Sequence, residues 1–217
     1  MNNRIIHCDL SFDLADPLAA VVRVEVSPQF GEPGLEVRGR LMGPQCAYAT
    51  TIEVAYPFQA EGQPLKVRAL IPEASLWHPT SPHLYHGPLE LWHQGQCLHR
   101  LGLRVGLRTF QLSPQGVRIN GQLFPLVAQR VASLSEAEAK SLHTAGINTL
   151  ITSANEEVFD RADRLGFLIL STNNTSKYVH PSHFGILCED SHTQADELTL
   201  TLADSPVQLL RLRVLLA

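Results

Sequence analysis

From Ala19 to Ser27 the chain reads Ala-Ala-Val-Val-Arg-Val-Glu-Val-Ser, with Val22, Val24 and Val26 on one face and Arg23 and Glu25 on the other. Successive side chains of a strand point to opposite faces, so this period of two predicts a strand with one buried side. Leu35 to Leu41 repeats the pattern, setting Leu35, Val37, Gly39 and Leu41 against Glu36, Arg38 and Arg40. Leu65 to Ile71 does so again, with Lys66 and Arg68 on the wet side. Ala47 to Phe58 is rich in Thr, Val, Ile and Tyr, which favour strands. Leu84 to His93 and Cys97 to Phe110 bracket Gln94-Gly95-Gln96, the short loop of a hairpin. Residues 4–14 supply a looser first strand. Short strands, frequent turns and no helical period predict an immunoglobulin-like β-sandwich over residues 1–112. Trp77, Trp92 and Tyr85 are read as core and domain-seam residues, with a sugar-stacking platform as the functional alternative.

After Leu112 the pattern changes. Leu123 to Ala128 is a short apolar run that reads as a buried strand. Ser133-Leu134-Ser135-Glu136-Ala137-Glu138 opens a helix, and both Ser133/Glu136 and Ser135/Glu138 have capping-box spacing. That helix runs to about Ala145 and stops at Gly146. Ile147 to Thr152 is a strand, Glu156 to Leu165 a second helix ending at Gly166, and Phe167 to Leu170 a further strand. Phe184 to Cys188 follows as a fourth strand. Thr193 to Ala203 fits strand by its Leu-Thr-Leu-Thr-Leu alternation and helix by its place in the order. Val207 to Leu216 closes the chain as an apolar strand. Strand, helix, strand, helix, strand predicts a partial (β/α) barrel-like parallel sheet over 113–217. Left open, such a sheet exposes edges and an apolar face. The terminal run is a candidate to cover one edge; a homodimer through the open sheet, or packing of the sheet against the sandwich, is the other expectation.

Composition narrows the function. The 217 residues carry a net charge of −4, with 18% charged and 44% hydrophobic residues. That is a globular balance without the basic face a nucleic-acid partner needs. No run approaches the ~20 apolar residues of a membrane span, and Met1 to His7 lacks the core of a signal peptide. A cytoplasmic protein is expected. Cys8, Cys46, Cys97 and Cys188 have no metal-like spacing and read as free thiols. No cofactor is expected, since no Gly-rich phosphate loop occurs. His180, His183 and His192 follow no recognised ligand pattern, and no metal is expected. Ser153 and Ser171 stand at strand ends, where active sites of such folds gather, without a base in sequence view.

A set of motifs carries a family resemblance. Trp77-His78-Pro79 with Pro82, Leu84 and Tyr85 resembles the Trp-Ser-Pro…Pro-x-Leu-Tyr signature of glycoside hydrolase family 2, which holds β-galactosidases, β-glucuronidases and β-mannosidases. Gly106-Leu107-Arg108 is similar to its Gly-Phe-Arg strand. Ile119-Asn120-Gly121 with Pro125 is similar to the Leu-Asn-Gly-Lys-Pro that leads into its catalytic barrel. Gly146-Ile147-Asn148 resembles Gly-Phe-Asn, Phe159 to Leu170 resembles Phe-Tyr-Asp-x-x-Asp-Glu-Leu-Gly-Ile-Leu-Val, and His180-Pro181-Ser182 resembles the His-Pro-Ser before the fourth barrel strand. The resemblance implies an immunoglobulin-like domain followed by the first part of a (β/α)₈ barrel, without the family's N-terminal jelly roll.

Departures from the family pattern bear on activity. Where the resemblance calls for Arg-Gly-x-Asn-x-His, the chain reads Val127-Ala128-Gln129-Arg130-Val131; where it calls for Arg-Thr-Ser-His, it reads Ile151-Thr152-Ser153-Ala154. The family's acid/base Glu follows an Asn, whereas here the region ends Cys188-Glu189-Asp190. Glu189 and Asp190 are the candidates for a surviving acid/base. A retaining glycosidase needs a second carboxylate ~5–5.5 Å from the first. The family's nucleophile follows the seventh barrel strand, for which this sequence has no matching segment. The sequence therefore points to a non-catalytic relative acting as a binding or interaction protein, with carbohydrate as the expected ligand. The alternatives are a carbohydrate-active hydrolase with a rebuilt site using Glu189 or Asp190, and a structural role in an assembly.

Overall fold

The computed structural model describes residues 3–14, 18–113, 116–153, 155–172, 180–188, 197–202, 209–213 and 215–216. In chain order the first strands are β1 (Ile5–Asp13), β2 (Ala19–Pro28), β3 (Leu35–Gln45), β4 (Val54–Pro57), β5 (Gln59–Glu61), β6 (Gln63–Pro72), β7 (Trp77–His78), β8 (Ser81–Pro82), β9 (Leu84–His93) and β10 (Gln96–Val105). Then come β11 (Phe110–Ser113), β12 (Gly116–Ile119), β13 (Gln122–Phe124), β14 (Val127–Arg130), helix α1 (Glu136–Thr144), β15 (Thr149–Thr152), helix α2 (Glu156–Leu165), β16 (Leu168–Ser171), β17 (His183–Cys188), β18 (Glu197–Leu202), β19 (Leu209–Arg213) and β20 (Leu215–Leu216). These elements form two compact units. One comprises Met1–Gln45, Thr50–Ser75 and His83–Leu107; the other comprises Cys46–Ala49, Leu76–Pro82 and Arg108–Ala217.

The first unit holds two four-stranded antiparallel sheets, ordered β1-β2-β6-β5 and β10-β9-β3-β4. With β4 left out of the lettering as an addition beside β3, this is the A-B-E-D sheet against G-F-C of an immunoglobulin sandwich, and β9 is the sixth strand, F. The period of two explains the packing. Val24, Val26 and Val67 from one sheet and Leu35, Val37, Leu89 and Leu91 from the other are buried in one cluster. The hairpin turn expected near Gly95 joins β9 to β10, with Cys97 opposite Trp92. Tyr85, at the start of β9, is buried, and its hydroxyl accepts a hydrogen bond from the Ser75 amide at 2.9 Å. A tyrosine opening the sixth sandwich strand and tied to backbone a few residues upstream is a recurrent lock of such sandwiches. Among the described residues Cys8, Cys46 and Cys97 are free thiols.

The second unit is built on a seven-stranded sheet ordered β19-β18-β17-β16-β15-β14-β20. β14, β15, β16 and β17 run parallel. α1 and α2 supply the first two crossovers, and β18 and β19 continue the sheet antiparallel. Ser135 caps α1 through the reciprocal box that the spacing predicted: its hydroxyl accepts from the Glu138 amide at 3.2 Å, and Glu138 accepts from the Ser135 amide at 2.7 Å. Leu142, Ile147, Leu150, Val158, Phe159, Phe167 and Ile169 form the core between helices and sheet. The stretch that fitted either strand or helix contains a strand, β18, and the terminal run is divided into β19 and β20. β19 lies at one edge of the sheet beside β18, while β20 pairs parallel with β14 at the other. Only one residue separates β19 from β20 in the chain. Every residue of β15 and β16 is buried, including Ile151, Leu168 and Leu170, whose side chains alternate with those facing the helices.

Candidate functional site

The densest group of buried polar side chains lies in the second unit, and α2 sets its geometry. Residues three, four and seven apart share one face of a helix, so Glu156, Phe159, Asp160 and Asp163 line up. Asp163 and His180 are both buried. The Asp163 carboxylate bonds the His180 Nδ1 at 2.7 Å through one oxygen and accepts from the Ser182 amide at 2.9 Å through the other. Glu156 meets the opposite ring nitrogen, Nε2, at 2.8 Å. Phe159 stacks on the imidazole with ring centroids 4.7 Å apart.

Two carboxylates facing two ring nitrogens define the protonation state, because each nitrogen must donate. Burial by itself pulls His180 toward the neutral ring. The hydrogen bond and charge of Asp163, followed by those of Glu156, outweigh it, and the pKa is raised.

The segment carrying His180 is held a second time by Arg108, which is also buried. Its Nε donates to the Pro181 carbonyl at 2.7 Å, and one terminal nitrogen donates to the carbonyls of His180 at 3.3 Å and His183 at 3.1 Å. The guanidinium lies 4.3 Å from the Phe110 ring centre. Trp77 Nε1 donates to the Asp163 carbonyl at 2.8 Å, and Asn120 Nδ2 donates to the Trp77 carbonyl at 3.0 Å. Asn120 also accepts from the Thr109 amide at 2.9 Å. It can do so because Asn120-Gly121 forms a turn with φ of 51° and 79°. Gly166 ends α2 in the left-handed conformation, and a Cβ there would stand 2.0 Å from the Pro79 carbonyl oxygen. Asn148 ties the Pro125 carbonyl and the Val127 amide at 2.8 and 3.0 Å. The residues that carried the family resemblance are therefore bonded largely to one another's backbone.

Glu189, Asp190 and His192 lie outside the described residues. In sequence the first two directly follow β17. Ser153 is exposed, whereas Ser171 is buried and its Oγ lies 2.9 Å from His183 Nε2. That is nucleophile-to-base spacing, but the buried hydroxyl serves as a tie between β16 and β17. Donor atoms of Asp160, Asp163 and His180 fall within 4.8 Å of one another. A cation fits there only after the His180 ring gives up a proton that two carboxylates favour. Sequence reasoning read His180 through its motif and against a metal-ligand pattern, and missed Glu156 and Asp163. The signal available was the helical stripe Glu156/Phe159/Asp160/Asp163. Trp77 and Tyr85 are wholly buried, which answers the sugar-platform alternative for both. Trp92 is only half-buried.

No protein-family model and no curated protein sequence matches the chain. Solved structures do match it in fold. An FMN-binding β-glucuronidase from Facaelibacterium prausnitzii L2-6 aligns at a TM-score of 0.62 and 18% identity, over 78% of this chain and 29% of that one. A β-glycosidase from Bacteroides vulgatus aligns at 0.58 and 18% identity, over 78% of this chain and 24% of its own. A glycosyl hydrolase family 2 member from Bacteroides cellulosilyticus aligns at 0.58 and 17%, over 78% and 25%. The chain spans less than a third of the length of each. It has the fold of part of these glycoside hydrolase family 2 structures, as its motifs implied.

Proposed function

We propose that this chain is a non-catalytic relative of glycoside hydrolase family 2 that acts as a binding or interaction protein, with carbohydrate as its ligand class. The observation that supports this reading is the state of the polar network. Both nitrogens of His180 and both carboxylate oxygens of Asp163 are already bonded within the fold. Arg108 spends its guanidinium on three carbonyls. Buried groups engaged in this way support the reading of a scaffold. The substituted positions Val127, Ile151 and Ala154 agree with a lost sugar site. The test is a panel of nitrophenyl glycosides beside a glycan array: no turnover with binding to at least one glycan is the expected result.

The alternative is a hydrolase with a rebuilt site. It is favoured by one feature: in sequence Glu189 and Asp190 directly follow β17, a strand parallel to β16, and active sites of such folds gather at the ends of parallel strands. Turnover abolished by Glu189→Gln or Asp190→Asn would replace the binding reading with this one. A homodimer through the sheet is proposed for the assembly, since β19 and β20 each have a neighbour on one side alone among the described residues; light scattering showing a monodisperse monomer would overturn it.

A further inference from the structure

The outer face of the β10-β9-β3-β4 sheet carries a pattern that sandwich packing does not require. The inward residues of β9, Leu89 and Leu91, are buried, which leaves His86, Pro88, Glu90 and Trp92 facing out. The same alternation turns Glu36, Arg38, Arg40 and Met42 outward on β3 and Arg100, Gly102 and Arg104 outward on β10. Four guanidinium groups therefore share this face with the carboxylates of Glu36 and Glu90, and Glu53 is drawn to His86 at 2.7 Å. The face is cationic in a chain whose net charge is −4.

The groups are also oriented. Trp92 Nε1 donates to Glu90 at 2.9 Å, and Arg100 Nε donates to the other oxygen of the same carboxylate at 2.8 Å. Arg38 lies 4.7 Å from the Trp92 ring centre and bonds Glu36. Arg40 adds its charge to the surroundings of Glu90. Among the described residues it makes no ion pair or side-chain hydrogen bond. On the strand neighbouring Pro88, Gly102 leaves open space: a Cβ there would meet nothing within 4 Å. The result is a shallow floor of Pro88 and Gly102, with Trp92 and a fixed arginine–carboxylate pair on one side and Arg40 left to bind.

We propose that this face is a binding site for an acidic oligosaccharide, with one carboxylate- or sulfate-bearing sugar ring over the Pro88–Gly102 floor and its anionic group on Arg40, and a further ring reaching Trp92 past the Glu90–Arg100 pair. Charge complementarity selects an anion, because a guanidinium pairs planar oxyanions through parallel N–H bonds. An indole edge and a flat apolar floor suit the C–H faces of successive sugar rings, and Glu90 between them offers hydroxyl groups an acceptor. The site rests on the binding reading above and specifies it.

The test is calorimetry on the full chain with an oligogalacturonate, a neutral dextran oligomer and polyglutamate at low and physiological salt. The expected result is binding of the oligogalacturonate alone, weakened at least tenfold by Arg40→Glu and by Trp92→Ala, and weakened by salt. Arg40→Gln, which removes charge without reversing it, is expected to give an intermediate loss, and circular dichroism checks that each variant is folded. Equal binding of polyglutamate, or an unchanged affinity in both Arg40 variants, overturns the site. In the latter case glycan binding itself survives and lies elsewhere on the chain. Silence toward oligogalacturonate with binding of another glycan overturns the site alone. Silence toward every glycan on the array overturns both the site and the binding reading.

Discussion

Replacing Asp163 by Asn tests whether the His180 network holds the second unit together. Asp163 is buried and accepts from His180 at 2.7 Å and from the Ser182 amide at 2.9 Å. Breaking a buried charge pair by removing one partner costs ~3–5 kcal/mol, because the other charge stays buried and uncompensated. The Asn oxygen can still accept from Ser182, and His180 keeps Glu156, so the expected cost lies near the lower bound, about 3 kcal/mol. At ~2–4 °C per kcal/mol for a protein of this size, melting falls by roughly 6–12 °C. The pH dependence carries the sharper signature. A histidine whose pKa is raised on folding stabilises the fold fully below its unfolded value, about 6.5. That contribution is lost as pH rises through the raised folded value. In Asp163→Asn most of it is already gone, so the gap between the two proteins is widest near pH 6 and narrows by pH 9. Chemical denaturation of both proteins across this range, with His180→Gln and the double variant, gives the coupling energy directly. A coupling below about 0.5 kcal/mol, or a gap that is constant with pH, would refute the idea that a charged His180 binds α2 to the following segment.

Other perturbations follow from particular contacts. Gly87→Ala would place a Cβ 2.0 Å from the Arg40 carbonyl oxygen. It is expected to destabilise the first unit by about 3 kcal/mol or more, read from the denaturation midpoint. Trp77→Phe keeps the ring but leaves the Asp163 carbonyl without its 2.8 Å donor, an expected loss of ~1–3 kcal/mol by the same measurement. Glu156→Gln removes the half-exposed partner of His180, and its cost should stay within about 1 kcal/mol, well below that of Asp163→Asn. Burial pushes the Cys8 thiol up to about 11, with Asp9 adding to it. At pH 8 a maleimide should therefore label exposed Cys97 far faster than Cys8, as peptide mapping will show, because the thiolate is the reacting form.

What could be read from the sequence, and what could not, follows from the range over which each interaction acts. The period of two in Val22/Val24/Val26 and in Leu35/Val37 is local, and it marked the inward faces of the sandwich directly. The Ser135/Glu138 capping box and the α2 stop at Gly166 are likewise written within a few residues, and both helices stand where spacing placed them. The His180 site joins residues 17 and 24 positions apart. Arg108 reaches carbonyls more than 70 positions away, and no local pattern encodes such a pairing. The same limit hid the path of the terminal run. Alternation in Leu209 to Leu216 marks a strand but cannot say that its two ends serve opposite edges of one sheet. The network of Trp77, Arg108, Asn120, Asp163 and His180 then fixes the loops and the helix end around that sheet. Residues that tie backbone to backbone in this way serve the scaffold, which is why these motifs are legible even though Val127, Ile151 and Ala154 depart from the family pattern.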